Sequence, residues 1–305
     1  MIVIPIRICG DIWVNPEEVS TELYSAPITE YVELDFRAEG PSALALGVID
    51  LLDQHCAETG RTPSTILLKN NPNNTEITRY RNPTPGRSHF FKMSQSYWSD
   101  VIPELESAKT FGFFMGRRTG ARARILYDLW HNYSAVLSLM RTVEIDPWIK
   151  PSLGYTLEPM DTWVIDDIKN WFACCPVPSI DGHTVRDQYV ENPQTNIDIL
   201  NYYNQFQVEI VAETYTLGNT FFPTEKTVRP IMAAKPYIVY GPKHFLTNLR
   251  KQGFETYSNC WDESYDQLEG IERWSAIKQI LPTVKVDDVT RAIAHRNRLH
   301  LKKIL

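Results

Sequence analysis

Two hydrophobic periods alternate along the chain. In YVELDF (residues 31–36) apolar and polar positions alternate, with high β-propensity, which predicts a strand. In SALALGVIDLLDQHCAE (residues 42–58) Leu44, Val48, Leu51 and Leu52 recur at helical spacing. GRTP breaks that helix, and STILLKN (residues 64–70) predicts a second strand. Strand, helix and strand in this order predict a parallel pair joined by a right-handed crossover. The polar, turn-rich stretch over residues 70–87 predicts a surface loop, followed by a helix or irregular piece to about residue 108.

The pattern then resumes. FGFFMG (residues 111–116) predicts a short buried strand, RRTGARARILYDLWHN a loop and helix, and AVLSLM (residues 135–140) another strand. Residues 145–196 are irregular, with Trp148, Trp163, Trp171 and several prolines. NIDILNYYNQ (residues 196–205) predicts a short helix and FQVEIVAE (residues 206–213) a strand. A helix over about 225–234, the strand YIVYG (residues 237–241), the helix KHFLTNLRKQG and the strand FETYS (residues 254–258) follow, and two helices close the chain. The alternation falls into two blocks with a seam near residues 107–109. It predicts an α/β protein of two Rossmann-like halves, 1–106 and 107–305. Ligands of such folds bind at the carboxyl ends of strands. Glu39, Arg117, Arg122 and Glu213 each follow a predicted strand.

Composition narrows the function classes. A chain of 305 residues suits two cores, and 43% hydrophobic against 22% charged residues leaves no room for a long disordered tail. The 8 Trp and 15 Tyr fit a sugar- or base-binding cleft, and equally a well-filled core. A net charge of -6 argues against a dedicated nucleic-acid binder. Charge is uneven, however. GRRTGARAR (residues 116–124) holds four arginines, and RAIAHRNRLHLKK (residues 291–303) five Lys or Arg, so either can face phosphate. The five cysteines include no C-x-x-C, which excludes a zinc site or disulfide framework of the usual spacing and suits free thiols in a reducing cytoplasm. The opening MIVIPIRICGDIW lacks a signal peptide's basic region and long apolar run, and no stretch is long enough to span a membrane. A soluble, cytoplasmic protein is expected.

The candidate chemistry centres on PTEKTVRPI. Thr224 can cap a helix whose first turn holds Glu225 and Lys226. A Glu there suits the helix dipole without any ligand, whereas a Lys opposes it. An anion such as phosphate, held by the helix N–H groups and Lys226, would reverse that penalty. Arg117, Arg118, Arg122 and Arg124 stand at a strand–loop–helix turn, again with the wrong sign for the dipole. The turn is neither a Walker loop nor G-x-G-x-x-G, and a solvated basic loop explains it equally. Glu213, at a strand end, is either a surface carboxylate or an acceptor for ribose or sugar hydroxyls. Taken together, Arg117, Arg122 and Lys226 form a candidate diphosphate clamp, with Glu213 and Glu225 as carboxylates for hydroxyls. That set suits a nucleotide sugar.

On these residues the chain resembles a known family. ETYTLGNTFFPTEKTVRPIMAAKPYIVYGPK (residues 213–243) is similar to the donor-site motif of the fucosyltransferase-like GT-B glycosyltransferases. It is closer still to a group of glycosyltransferases of phages and marine microbes, which carry a TEKT-x-(K/R)-P-I core with G-F-x-T and D-E-S-Y-D downstream. Here these read TEKTVRPI, GFETY and DESYD. FGFFMGRRTGARARILYDL and EGPS (residues 39–42) resemble further segments of that group. The resemblance covers about two-thirds of the chain and is best in its C-terminal half. It implies a GT-B fold whose C-terminal domain binds the donor. Lys226 and Arg122 would hold the pyrophosphate, Glu225 the ribose, and Glu213 the sugar or a loop.

The resemblance implies transfer of a sugar from a nucleotide-sugar substrate to an acceptor hydroxyl, with no separate cofactor. In GT-B enzymes basic side chains and a helix N-terminus stabilise the leaving diphosphate without an obligatory metal. No D-x-D triplet occurs in the chain. An inverting route also needs a base for the acceptor. Glu39 is the first candidate, although a loop Glu needs no such role, and Glu76 and His183 are reserves. The acceptor is a glycan, or a modified base in DNA as some phage enzymes use. The alternatives are a non-catalytic nucleotide- or sugar-binding protein on the same fold, and a phosphate-binding protein.

Overall fold

The computed structural model of the chain describes residues 1–9, 12–36, 43–44, 46–69, 73–74, 79–81, 98, 102, 109–115, 119–139, 166–173, 202–213, 216–217 and 220–304. They form a mixed α/β protein of parallel sheets and helices, compatible with a Rossmann-like fold. The chain divides into two compact units. One comprises Met1–His89, Lys150–Thr156 and Asn219–Phe222, and the other Phe90–Ile149, Leu157–Gly218 and Pro223–Leu305.

In the first unit β1 (Ile2–Pro5), α1 (Pro16–Ser25), β2 (Val32–Asp35), α2 (Val48–Thr59) and β3 (Ile66–Lys69) follow in turn. The sheet runs β1-β2-β3, all parallel, with Ile4 opposite Leu34 and Leu34 opposite Leu68. The strand–helix–strand order and the parallel β2–β3 pairing are those the periodicity predicts. The helix begins at Val48 rather than residue 42, because Gly47 takes a φ of 75° that breaks the helical path. The pattern reading omits β1 and α1. The proline at the first helical position of α1 is the signal that would have found that helix. Ile4, Val19, Leu23, Val32, Leu34, Leu52, Ile66 and Leu68 form the centre of the core. On β2 the alternate residue Glu33 accepts a 2.6 Å bond from Lys69. Buried Arg61 donates to the carbonyls of Ala26, Pro27 and Glu30, tying the chain just after α2 to the segment that follows α1.

In the second unit β4 (Lys109–Met115), α3 (Gly120–Asn132), β5 (Ala135–Leu139), α4 (Asp166–Ala173), β6 (Phe206–Ala212), α5 (Glu225–Met232), β7 (Tyr237–Tyr240), α6 (Phe245–Lys251), α7 (Gly270–Ile280) and α8 (Asp288–Ile304) follow in turn. Their sheet runs β7-β6-β4-β5, all parallel. Phe111 lies opposite Ala135 on one side and Val208 on the other. At Gly112 the Phe206 ring stands 2.6 Å from where a Cβ would lie, so no other residue fits unless that ring moves.

Two predicted elements differ. FETYS is not a strand. Side chains supply the hydrogen bonds that a neighbouring strand would give: Asn297 brackets Glu255 at 2.8 Å on both its N–H and carbonyl, and Glu263 accepts the Tyr257 N–H at 2.7 Å. Of the predicted helix over 196–205, the described residues Tyr202–Asn204 form a turn, closed by the Gln205 N–H on the Tyr202 carbonyl at 3.0 Å. Beyond β7, fully buried Arg273 donates to the carbonyls of Val239 and Pro242 at 3.0 and 2.9 Å and to Asp266 at 3.3 Å. Asp266 in turn accepts the N–H groups of Leu246 and Thr247, the orphan donors at the start of α6.

Candidate functional site

The second sheet changes direction. From β4 the chain moves outward to β5, then returns to the opposite side of β4 for β6 and β7. The reversal lies between β4 and β6. The helix after β4 and the helix after β6 both start at this carboxyl edge, where open α/β sheets bind ligands.

Each helix start is capped. The Thr119 hydroxyl accepts the Arg122 N–H at 3.3 Å, and the Thr224 hydroxyl accepts the Lys226 N–H at 3.4 Å. Arg122 is 3% exposed, and its Nη2 donates to the carbonyls of Ala212 and Glu213 at 3.1 and 2.8 Å. The start of α3 is thereby bonded to the end of β6. Glu213, 1% exposed, takes the next step. Its Oε1 accepts the Thr224 N–H at 3.0 Å and the Thr227 hydroxyl at 2.5 Å, and its Oε2 the Thr224 hydroxyl at 2.5 Å. Strand end and helix start are thus fastened by a buried carboxylate with charge-assisted bonds.

Glu225 and Lys226 pair with each other at 2.5 Å, and each side chain is 14% exposed. The Lys226 ammonium also lies 3.3 Å from the Thr224 hydroxyl. Burial works against ionising Glu225, but Lys226 and Arg229 outweigh it and bring its pKa down to about 2. The cost of a lysine in the first turn is therefore offset by its neighbour. The second carboxylate oxygen, Oε2 of Glu225, is buried with no hydrogen-bond partner among the described residues.

Below the cap a second polar group holds α5 on β6. Glu209 shares a face of β6 with Glu213, since the two are four residues apart on a strand. Its carboxylate accepts the Tyr203 hydroxyl and lies 3.8 Å from Arg229 on α5. Lys235 donates to the Phe206 carbonyl at 2.9 Å. Burial lifts the Glu209 carboxyl to about 7, despite Arg229, and lowers the Lys235 ammonium to about 8.

Of the residues singled out in the sequence, Arg122, Glu213, Thr224, Glu225 and Lys226 come together here. Glu39, Arg117, Glu76 and His183 lie outside the described residues. The Glu213 carboxylate binds the Thr224–Thr227 turn, and the Arg122 guanidinium binds backbone carbonyls. Sequence reasoning missed Thr119, Thr227, Glu209 and Arg229. Two glutamates on one face of an otherwise apolar strand were the available signal, because buried carboxylates need partners. Among the described residues no group of three or more His, Cys, Asp or Glu side chains is placed to hold a metal ion. Among the same residues no helix is long and apolar enough to cross a membrane. Comparison with protein-family models, curated proteins and solved structures finds no match.

Proposed function

We propose that the protein is a glycosyltransferase of the GT-B class that takes a sugar from a nucleotide-sugar donor. The observation that carries this reading is the pair of capped helix starts at the reversal between β4 and β6, with Glu225 and Lys226 in the first turn of one. An N-terminus offers backbone N–H groups to an anion, and Lys226 adds a positive charge beside them. The donor diphosphate binds there. Glu225, whose side chain keeps 14% exposure, takes a ribose hydroxyl. Arg122 and Glu213 hold the helix starts in place, and Arg117 adds charge to the same anion.

As the glycosidic bond breaks, negative charge grows on the leaving diphosphate. A fixed set of N–H donors and a lysine stabilise that charge more than they stabilise the ground state. Glu39 removes the acceptor proton in an inverting displacement. The acceptor is a glycan hydroxyl or the hydroxyl of a modified base in DNA, and the reaction runs in the cytoplasm.

A thermal-shift screen against a panel of nucleotide sugars tests the reading, because a bound donor raises stability by mass action. One or more nucleotide sugars should raise Tm in the wild-type chain and fail to do so in Lys226→Ala. Hydrolysis of the same donor then separates an enzyme from a non-catalytic binding protein. A panel with no response, or a response untouched by Lys226→Ala, removes the basis of the proposal.

A further inference from the structure

The loop after β7 holds a histidine that neither the backbone nor the helix cap explains. His244 has φ 62° and ψ 19°, the left-handed region that a side chain opposes. Among the described residues one other non-glycine residue, Ala234, has a positive φ, and it follows the end of α5, where left-handed backbone is usual. His244 stands instead at the N-cap of α6. Such caps are ordinarily extended, with a Ser, Thr, Asp or Asn side chain on the first N–H groups. The imidazole makes no bond of that kind. Asp266 caps the helix instead, taking the Leu246 and Thr247 N–H groups at 2.9 and 3.0 Å. Glycine would suit this backbone better, and a hydroxyl or carboxylate would suit the cap.

The surroundings fix that backbone. The His244 N–H donates to the Asp266 carbonyl at 2.7 Å, and the His244 carbonyl accepts the Asn248 N–H at 2.9 Å. Two residues earlier, the Pro242 carbonyl accepts from Arg273 at 2.9 Å. Arg273 and Asp266 are themselves paired at 3.3 Å, with side chains 0 and 2% exposed. Asp266 is the last residue of DESYD, so that motif holds the loop in place. Strained backbone persists where its surroundings over-determine it, and it gathers at ligand sites. The His244 side chain is half-buried, and among the described residues it has no hydrogen bond, ion pair or ring contact. Lys243, the other polar side chain of the loop, is paired with Glu269 at 3.2 Å.

The loop adjoins the capped start of α5. The Glu213 N–H donates to the Tyr240 carbonyl at 2.9 Å, so the end of β7 is bonded to the residue whose carboxylate holds Thr224 and Thr227. Neighbouring strands lie about 5 Å apart, so a diphosphate at the start of α5 brings the group attached to it towards the end of β7. We propose that His244 binds the nucleoside half of the donor by a hydrogen bond from its imidazole. This inference rests on the nucleotide-sugar reading above. A neutral imidazole has one donor and one acceptor nitrogen, which suits the hydroxyls and base edges of a nucleoside. The fixed backbone presents the ring without an ordering cost when the ligand arrives.

Isothermal titration calorimetry on the full chain tests it, with UDP, GDP, ADP, CDP and inorganic pyrophosphate as probes. The proteins are the wild type, His244→Gly, His244→Asn and Lys226→Ala. Glycine and asparagine both accept left-handed backbone, so each His244 variant should fold with Tm unchanged or raised. Each should bind the tightest of the nucleoside diphosphates about five- to tenfold more weakly, the loss of one net hydrogen bond, and bind pyrophosphate as the wild type does. Lys226→Ala should weaken both. Wild-type affinity for the nucleoside diphosphate in both His244 variants overturns this inference and leaves the nucleotide-sugar reading standing. An equal loss toward pyrophosphate, or a lower Tm in both variants, makes His244 a structural residue and overturns it as well. A wild-type chain that binds none of the probes overturns the nucleotide-sugar reading, and this inference with it.

Discussion

Thr224 gives both of its donors to Glu213: the backbone N–H goes to one carboxylate oxygen at 3.0 Å and the hydroxyl to the other at 2.5 Å. Thr227 adds a third bond to the same carboxylate. The start of α5 is therefore set by a strand-end side chain, and the Thr224 hydroxyl serves the helix cap and the strand at once. Glu213→Ala should cost about 3 kcal/mol, because it strands three buried donors. Glu213→Gln should cost less, about 1–2 kcal/mol, since the amide oxygen still accepts. Chemical denaturation of both variants checks the order, and equal losses would contradict the two-oxygen arrangement.

Glu209 makes stability depend on pH in a direction opposite to a carboxylate whose pKa folding lowers. Burial raises its pKa from 4.5 to about 7 in the folded chain. The folded state thus holds a proton that the unfolded state has released. The stabilisation is fully present below about pH 4.5 and is lost as pH rises through about 7. The span is on the order of 3 kcal/mol. Urea unfolding at several pH values should show this fall in the wild type and a flatter profile in Glu209→Gln. Parallel profiles would rule the assignment out.

In the first unit the Arg61 Nε–H donates to His55 Nε2 at 3.2 Å. A protonated imidazole has no lone pair to accept it. Burial and the Arg61 charge both lower the His55 pKa below 6.5. The group therefore contributes stability above pH 6.5 that is lost as pH falls through its folded pKa. Tyr24, which meets the ring edge-on at 4.7 Å, and Glu58 are its other titratable neighbours, and Glu58 opposes the shift. An NMR titration of the His55 ring should give a midpoint below 6.5, and Arg61→Met should raise it. A midpoint at or above 6.5 in the wild type would exclude this coupling.

Gly253 has a φ of 89°, and a Cβ there would lie 2.8 Å from the His300 ring. His300 in turn bonds the Gln252 carbonyl at 2.8 Å, so the ring cannot retreat without breaking that contact. Gly253→Ala should destabilise by about 1–3 kcal/mol through backbone strain and crowding. Gly253→Ala combined with His300→Ala should recover the crowding part and leave the backbone part. A double variant no better than the single one would show that the ring plays no part.

The sequence by itself determined the alternation of strands and helices, because a two-residue period and a 3.6-residue period are local properties of the chain. It placed the β2–α2–β3 order, the strands of the second sheet, and the Thr224 cap with Glu225 and Lys226 behind it. It also flagged Lys226 as a cation against the dipole. Only the tertiary structure decided how that cation is balanced, and which polar groups are spent on the fold. Glu213 and Arg122 read in sequence as a strand-end carboxylate and a helix-start arginine for a ligand, but they are bonded across the sheet edge to Thr224, Thr227 and the carbonyls of residues 212 and 213. FETYS has the residues of a strand and lacks one, because Asn297 and Glu263 take its backbone bonds. The physical reason is common to these cases. Backbone propensity acts over a few residues, whereas a buried charge or N–H must find its partner wherever the folded chain brings one.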